Sequence, residues 1–136
     1  MPSGSASSSP VRVLLVDDNQ AMLDRAAALL APSCAIVDTV KDGEAALEAA
    51  RRLRPEVIVL DISMPGMTGL EVADRLRASG SDAAVVFLTV HDDEEFVAAA
   101  TAAGGLGYVI KRKLGADLAF AVQEARAGRA FVSDIA

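Results

Sequence analysis

Tryptophan is absent from this chain of 136 residues, tyrosine, histidine and cysteine each occur once, and aromatic residues make up only 4%. Alanine fills 27 positions. The core must therefore be aliphatic, behind thin and closely packed helices. The single Cys34 has no partner for an internal disulfide, which favours a reducing, cytoplasmic setting. No apolar run approaches the roughly 20 residues of a membrane span. Residues 1–10 have neither the basic start nor the apolar stretch of a secretory signal; rich in Ser, Gly and Pro, they read as a flexible N-terminal tail. Basic charge is also in deficit. Lys and Arg number 13 against 19 Asp and Glu, a net charge of −6. A net-acidic chain repels a nucleic-acid backbone, which argues against direct nucleic-acid binding by this segment. What is present is a composition 52% hydrophobic and 24% charged, sufficient for one self-supporting domain, placed at 11–129.

Short apolar runs at Val11–Val16, Ala35–Val40, Val57–Leu60, Ala84–Leu88 and Gly107–Ile110 predict strands covered on both faces. Segments with helical spacing separate them: Met22, Ala26, Leu29 and Leu30; Ala46, Leu47, Ala50 and Leu53; Leu70, Ala73 and Leu76; and Leu114, Leu118, Ala121, Val122 and Ala125. A fourth helix, near Asp93–Ala103, has the weakest stripe, Phe96, Val97 and Ala100, and should be the least anchored. Asp42-Gly43, Arg54-Pro55, Gly104-Gly105 and Gly128 mark helix boundaries. Five β-α units predict an α/β fold, a doubly wound parallel sheet with helices on both faces. Sites in such sheets form at the carboxyl ends of the strands.

Those ends carry Asp17-Asp18 after strand one, Asp61 after strand three, Thr89 after strand four and Lys111 just beyond strand five. Taken singly, each could be a loop residue or a helix cap. Taken together they bring three carboxylates to one rim. Two like charges about 4 Å apart repel by about 4 kcal/mol at an effective dielectric of 20. A hard divalent cation with oxygen ligands, Mg²⁺, relieves such a cluster and admits a phosphoryl group. Lys111 and Thr89 would then serve its oxygens. The residues thus describe a Mg²⁺-dependent phosphoryl-acceptor site.

Four segments resemble the receiver domain of two-component response regulators. They are Val-Leu-Leu-Val-Asp17-Asp18-Asn, Val-Ile-Val-Leu-Asp61-Ile-Ser-Met-Pro65-Gly-Met-Thr-Gly69, Phe-Leu-Thr89 and Gly-Tyr108-Val-Ile-Lys111, and the likeness covers roughly Arg12–Arg129. The resemblance implies a five-stranded sheet of order 2-1-3-4-5 and Asp61 as phosphoacceptor from a histidine on a sensor kinase. It implies Mg²⁺ bound by Asp18, Asp61 and the backbone carbonyl of Ser63, with Asp17 acting largely through water. It makes Thr89 and Tyr108 the switch pair and Lys111 the phosphoryl partner. The output surface would be helix four, strand five and helix five, used for homodimerisation or partner docking. Residues Ala121–Ala136 resemble the last helix and linker start of the NarL/LuxR-like branch, whose DNA-binding output domain would lie outside this chain, with 130–136 as the linker start; a stand-alone regulator is the other reading. A receiver acting without phosphate usually lacks an acidic residue or the lysine, and neither is missing. An aspartyl phosphatase would want a second aspartate at the position of Ser63. A flavodoxin-like module would want a Ser/Thr/Gly-rich loop where Asp17-Asp18 stands.

Two features depart from the common pattern. Arg112 follows the lysine where proline is frequent, so a trans or strained bond is expected. Val90 and His91 follow Thr89 at the mouth of the site. His91 is either a solvated loop residue or a gate for water at the acyl phosphate. In Lys111-Arg112-Lys113 only Lys111 is expected to function, and Cys34 is expected to be a small buried group at the start of strand two.

Overall fold

The computed structural model describes residues 9–134; most of the expected N-terminal tail, residues 1–8, and positions 135–136 lie outside the described residues. Strands β1 (Val11–Val16), β2 (Cys34–Val40), β3 (Val57–Asp61), β4 (Ala84–Thr89) and β5 (Gly107–Ile110) alternate with helices α1 (Gln20–Leu30), α2 (Gly43–Leu53), α3 (Gly69–Ala78), α4 (Glu94–Ala102) and α5 (Leu114–Arg126). A 3₁₀ turn, Lys111–Lys113, leads into α5. All the pairings are parallel, and the order β2-β1-β3-β4-β5 is the expected one. A sixth strand, β6 (Phe131–Val132), extends the sheet beside β5. The expected five-stranded sheet is thus corrected to six. Two residues are too few to show periodicity, and β6 exists because Phe131 N–H donates to the Leu106 carbonyl at 3.0 Å and Ser133 N–H to that of Tyr108 at 2.8 Å.

The central strands are buried on both faces, as unbroken apolar runs require. Ala46, Ala49 and Ala50 of α2, Val72, Ala73 and Leu76 of α3, and Ala100 of α4 pack on one face. Leu23, Ala26 and Leu30 of α1, with Leu114, Leu118, Ala121, Val122 and Ala125 of α5, pack on the other. Along α1 the buried stripe runs through Leu23, while Met22 and Leu29 are only half-buried. On α4 only Ala100 is buried.

Side chains cap the starts of four helices: Asn19 accepts from Met22 N–H, Asp42 from Ala45, Thr68 from Glu71 within a capping box, and Asp93 from Phe96. Arg54, with φ of 48°, ends α2 in the left-handed region ahead of Pro55. The Arg12 guanidinium donates to the Arg54 and Leu53 carbonyls, both at 2.6 Å, closing that helix end. The described residues contain no cis peptide, so the Lys111–Arg112 bond is trans. They contain no helix long and apolar enough to cross a membrane.

Candidate functional site

Adjacent parallel strands deliver their last residues to one rim. The β1–β3 register sets Val16 beside Leu60, so Asp17 and Asp61 emerge together. At the end of β3, Asp61 pairs with Leu88 of β4, and Thr89 pairs with Ile110, the residue before Lys111. Asp17 and Asp61 are 1% and 2% exposed, Thr89 is fully buried, and Asp18 faces solvent. A carboxylate oxygen from each of Asp17, Asp18 and Asp61 lies within 4.8 Å of the other two.

Lys111 reaches into this cluster. Its Nζ stands 3.1 Å from Asp17 Oδ2 and 3.3 Å from Asp61 Oδ1. Ser63 N–H also donates to Asp61 Oδ1, at 3.2 Å, and Asn19 N–H donates to Asp17 Oδ1 at 2.9 Å. Asp17 Oδ2 is buried and in ion-pair range of the ammonium, yet it accepts no well-directed hydrogen bond. Burial, and then the neighbouring charge of Asp17, push the Asp61 carboxyl up to about 6, against the pull of Lys111 and the Ser63 amide. Burial disfavours the charged Lys111, but Asp61 and Asp17 outweigh it and hold its pKa above the usual value. One ammonium does not balance the cluster.

The loop after β3 is pinned close to the phosphoacceptor candidate. Gly69 N–H donates to the Ile62 carbonyl at 2.8 Å, and a Cβ on Gly69 would lie 2.2 Å from the Asp61 carbonyl oxygen. Only hydrogen fits there, so α3 starts hard against the Asp61 main chain.

On the other side of the rim, Thr89 Oγ1 accepts from His91 N–H at 3.0 Å. Tyr108, 2% exposed, points inward, and its hydroxyl donates to the His91 carbonyl at 3.1 Å. The His91 ring stacks on Phe96 of α4, with centroids 3.8 Å apart and planes 1° from parallel. His91 is thus half-buried against α4 and not a freely solvated loop residue.

The sequence matches the family described as response regulator receiver domain over residues 13–123. The chain belongs to the response regulator receiver family. Solved structures agree. The signal receiver domain of the response regulator NarL from Mycobacterium tuberculosis is 31% identical, with a TM-score of 0.84 over 88% of this chain and 98% of that one. A LuxR-family two-component response regulator from an Aurantimonas species is also 31% identical, with a TM-score of 0.87 over 92% of this chain and 91% of that one. The response regulator domain of Thermotoga maritima CheB is 25% identical, with a TM-score of 0.81 over 88% and 98% of the two chains. No curated protein sequence matches significantly.

Receiver domains are signalling switches that interact with histidine kinases and bind Mg²⁺ at an acidic pocket. The residues of this receiver fit such an ion. The donors are hard carboxylate oxygens, one of them buried without a hydrogen bond, and Asp18 keeps one side open to water. All the residues expected at the rim, Asp17, Asp18, Asp61, Thr89 and Lys111, reach it. Of the basic triplet only Lys111 enters. Arg112 pairs with Asp92 at 3.1 Å and Lys113 donates to the Asp134 carbonyl. Sequence reasoning missed Ser133 and Asp117, which meet behind Lys111. Neither belongs to a motif, and only tertiary structure brings them together.

Proposed function

We propose that this receiver takes a phosphoryl group onto Asp61 from a phosphohistidine of a sensor histidine kinase and thereby re-poses the face made by α4, β5 and α5. The carrying observation is the three-carboxylate cluster with Lys111 between Asp17 and Asp61. The Ser63 amide and Lys111 both engage Asp61 Oδ1, which leaves Oδ2 to form the new O–P bond. The N–P bond of the donor breaks, and the imidazole leaves with its electron pair and takes a proton. Asp18 and Asp61, with the Ser63 carbonyl, would hold Mg²⁺ directly, and Asp17 would act on it largely through water. When bound, the ion neutralises charge on the carboxylates and on the phosphoryl oxygens. Lys111 retains a phosphoryl oxygen through its ammonium, and the Thr89 hydroxyl, turning from the Tyr108 phenol, retains another.

Thr89 and Tyr108 carry the state of Asp61 outward, because both bond to His91, which is stacked on α4. The inward Tyr108 is the pose that phosphorylation stabilises. Moving a two-state balance from 1:99 to 99:1 takes about 5.5 kcal/mol, within reach of a doubly charged group meeting Lys111, Thr89 and the metal site. The α4–β5–α5 face, its strand edge covered by β6, is the surface for homodimerisation or partner docking. In the cytoplasm it governs a DNA-binding output of the NarL/LuxR type; the likeness to LuxR-family response regulators, one of them described as DNA-binding, supports that reading.

Acetyl phosphate and Mg²⁺ should add one phosphoryl group to the wild type, seen by intact-mass spectrometry, and none to Asp61→Asn. Equal labelling of both proteins overturns the assignment.

A further inference from the structure

Although β6 is the shortest strand, it is densely bonded. Phe131 and Ser133 donate their amides to Leu106 and Tyr108, so the strand is zipped to β5 from both ends. The Phe131 ring meets Phe120 of α5 edge-on, with centroids 5.4 Å apart. Lys113 donates to the Asp134 carbonyl. Ser133 is 1% exposed. Its hydroxyl accepts from Ile110 N–H at 3.1 Å and donates to Asp117 Oδ2 of α5 at 2.7 Å. A side-chain oxygen therefore continues the ladder where β6 has run out, at the residue immediately before Lys111. The backbone of Ile110 is fixed by β4 on one side and by Ser133 on the other. From that point Lys111 extends its four-carbon stem to Asp17 and Asp61.

We propose that Ser133, backed by Asp117, is a positioning residue for the phosphorylation site: it fixes the Ile110–Lys111 backbone so that the Lys111 ammonium is pre-set for the phosphoryl group. The inference rests on Asp61 being the phosphoacceptor. A long lysine loses considerable rotamer freedom when held, and a loose root adds backbone freedom to what the incoming anion must order. The Ser133 hydroxyl removes that second part in advance. The coupling is reciprocal, so an occupied site must in turn hold β6 more tightly.

Beryllofluoride, which occupies the place of the phosphoryl group on an aspartate, separates this role from ordinary structural support. Calorimetry should show that Ser133→Ala binds beryllofluoride in saturating Mg²⁺ about five-fold more weakly than wild type, the worth of one hydrogen bond. Its affinity for Mg²⁺ alone should not fall, because the ion is held by the carboxylates, and loosening an ammonium that pairs with two of them cannot weaken it. In a Lys111→Ala background, Ser133→Ala should have no further effect. In the wild type, beryllofluoride should slow hydrogen exchange at the Ile110 and Ser133 amides. Should Ser133→Ala fail to fold, Asp117→Ala, at a half-buried position, removes the hydroxyl's acceptor and should weaken beryllofluoride in the same selective way. Wild-type affinity in the folded variant, an equal loss for Mg²⁺ alone, or an undiminished loss without Lys111 overturns the positioning role while leaving Asp61 as phosphoacceptor. No beryllofluoride binding by the wild type overturns both readings.

Discussion

Helices α4 and α5 both pack on the carboxyl half of the sheet, yet they are held by different means. Helix α4 has the better local chemistry: an Asp93 cap, with Glu94 and Glu95 in the first turn to complement the helix dipole. Helix α5 has no side-chain cap at all. Burial reverses the ranking. Leu114, Leu118, Ala121 and Val122 of α5 are fully buried, whereas α4 buries Ala100 alone. A cap or a dipole partner contributes about 1 kcal/mol, while each buried Leu or Val contributes about 1.5–3 kcal/mol. The contrast teaches that the element beside the acidic rim is well formed as a helix but weakly fastened to the domain. That combination suits a part that changes pose without unfolding.

The sharpest way to break this contrast is Leu118→Ala. Emptying a fully buried site should lower stability by about 4 kcal/mol in denaturant titration. A loss near that expected for an exposed position would remove α5 as the anchor. The rim next to α4 offers the second test, through its charge. With the Asp61 pKa at about 6 in the folded protein and near 3.8 unfolded, the folded state keeps a proton that the unfolded state has lost in that window. Without Mg²⁺, stability should therefore fall as pH rises from about 4 to about 6, by up to about 3 kcal/mol. Asp61→Asn should flatten that slope, and Mg²⁺ should do so in the wild type. A rising contribution over the same window would contradict the burial argument. The smallest effect is expected at Phe96→Ala, which unstacks His91 from α4 and should change global stability by only about 1 kcal/mol. Hydrogen exchange should nevertheless quicken across α4 and leave α5 unchanged; equal quickening in both helices would erase the distinction.

Much of this was legible beforehand for physical reasons. Strands buried on both faces must be apolar throughout, so β1, β3 and β4 announced themselves, and the polar residues ending them marked the rim. The thin stripe of α4 was readable as well. Other features depended on contacts that no local pattern encodes. Periodicity placed the α1 stripe on Met22 and Leu29, whereas packing against the sheet turns Leu23 inward. Val132 is 45% exposed and β6 has only two residues, so nothing in its pattern separated it from a linker. Ser133 acquires its meaning from Ile110 and Asp117, 23 and 16 positions away along the chain. His91 gained a ring partner only once α4 was in place.

The tight fit of Gly69 against the Asp61 carbonyl has a practical consequence. Helix α3 cannot slide or tilt at its start without dragging the main chain of Asp61, so it is a stationary landmark against which the proposed shift of α4 can be read. A spectroscopic label on an outward position of α3, such as Asp74, paired with one on α4 would report the travel of α4 against a fixed origin.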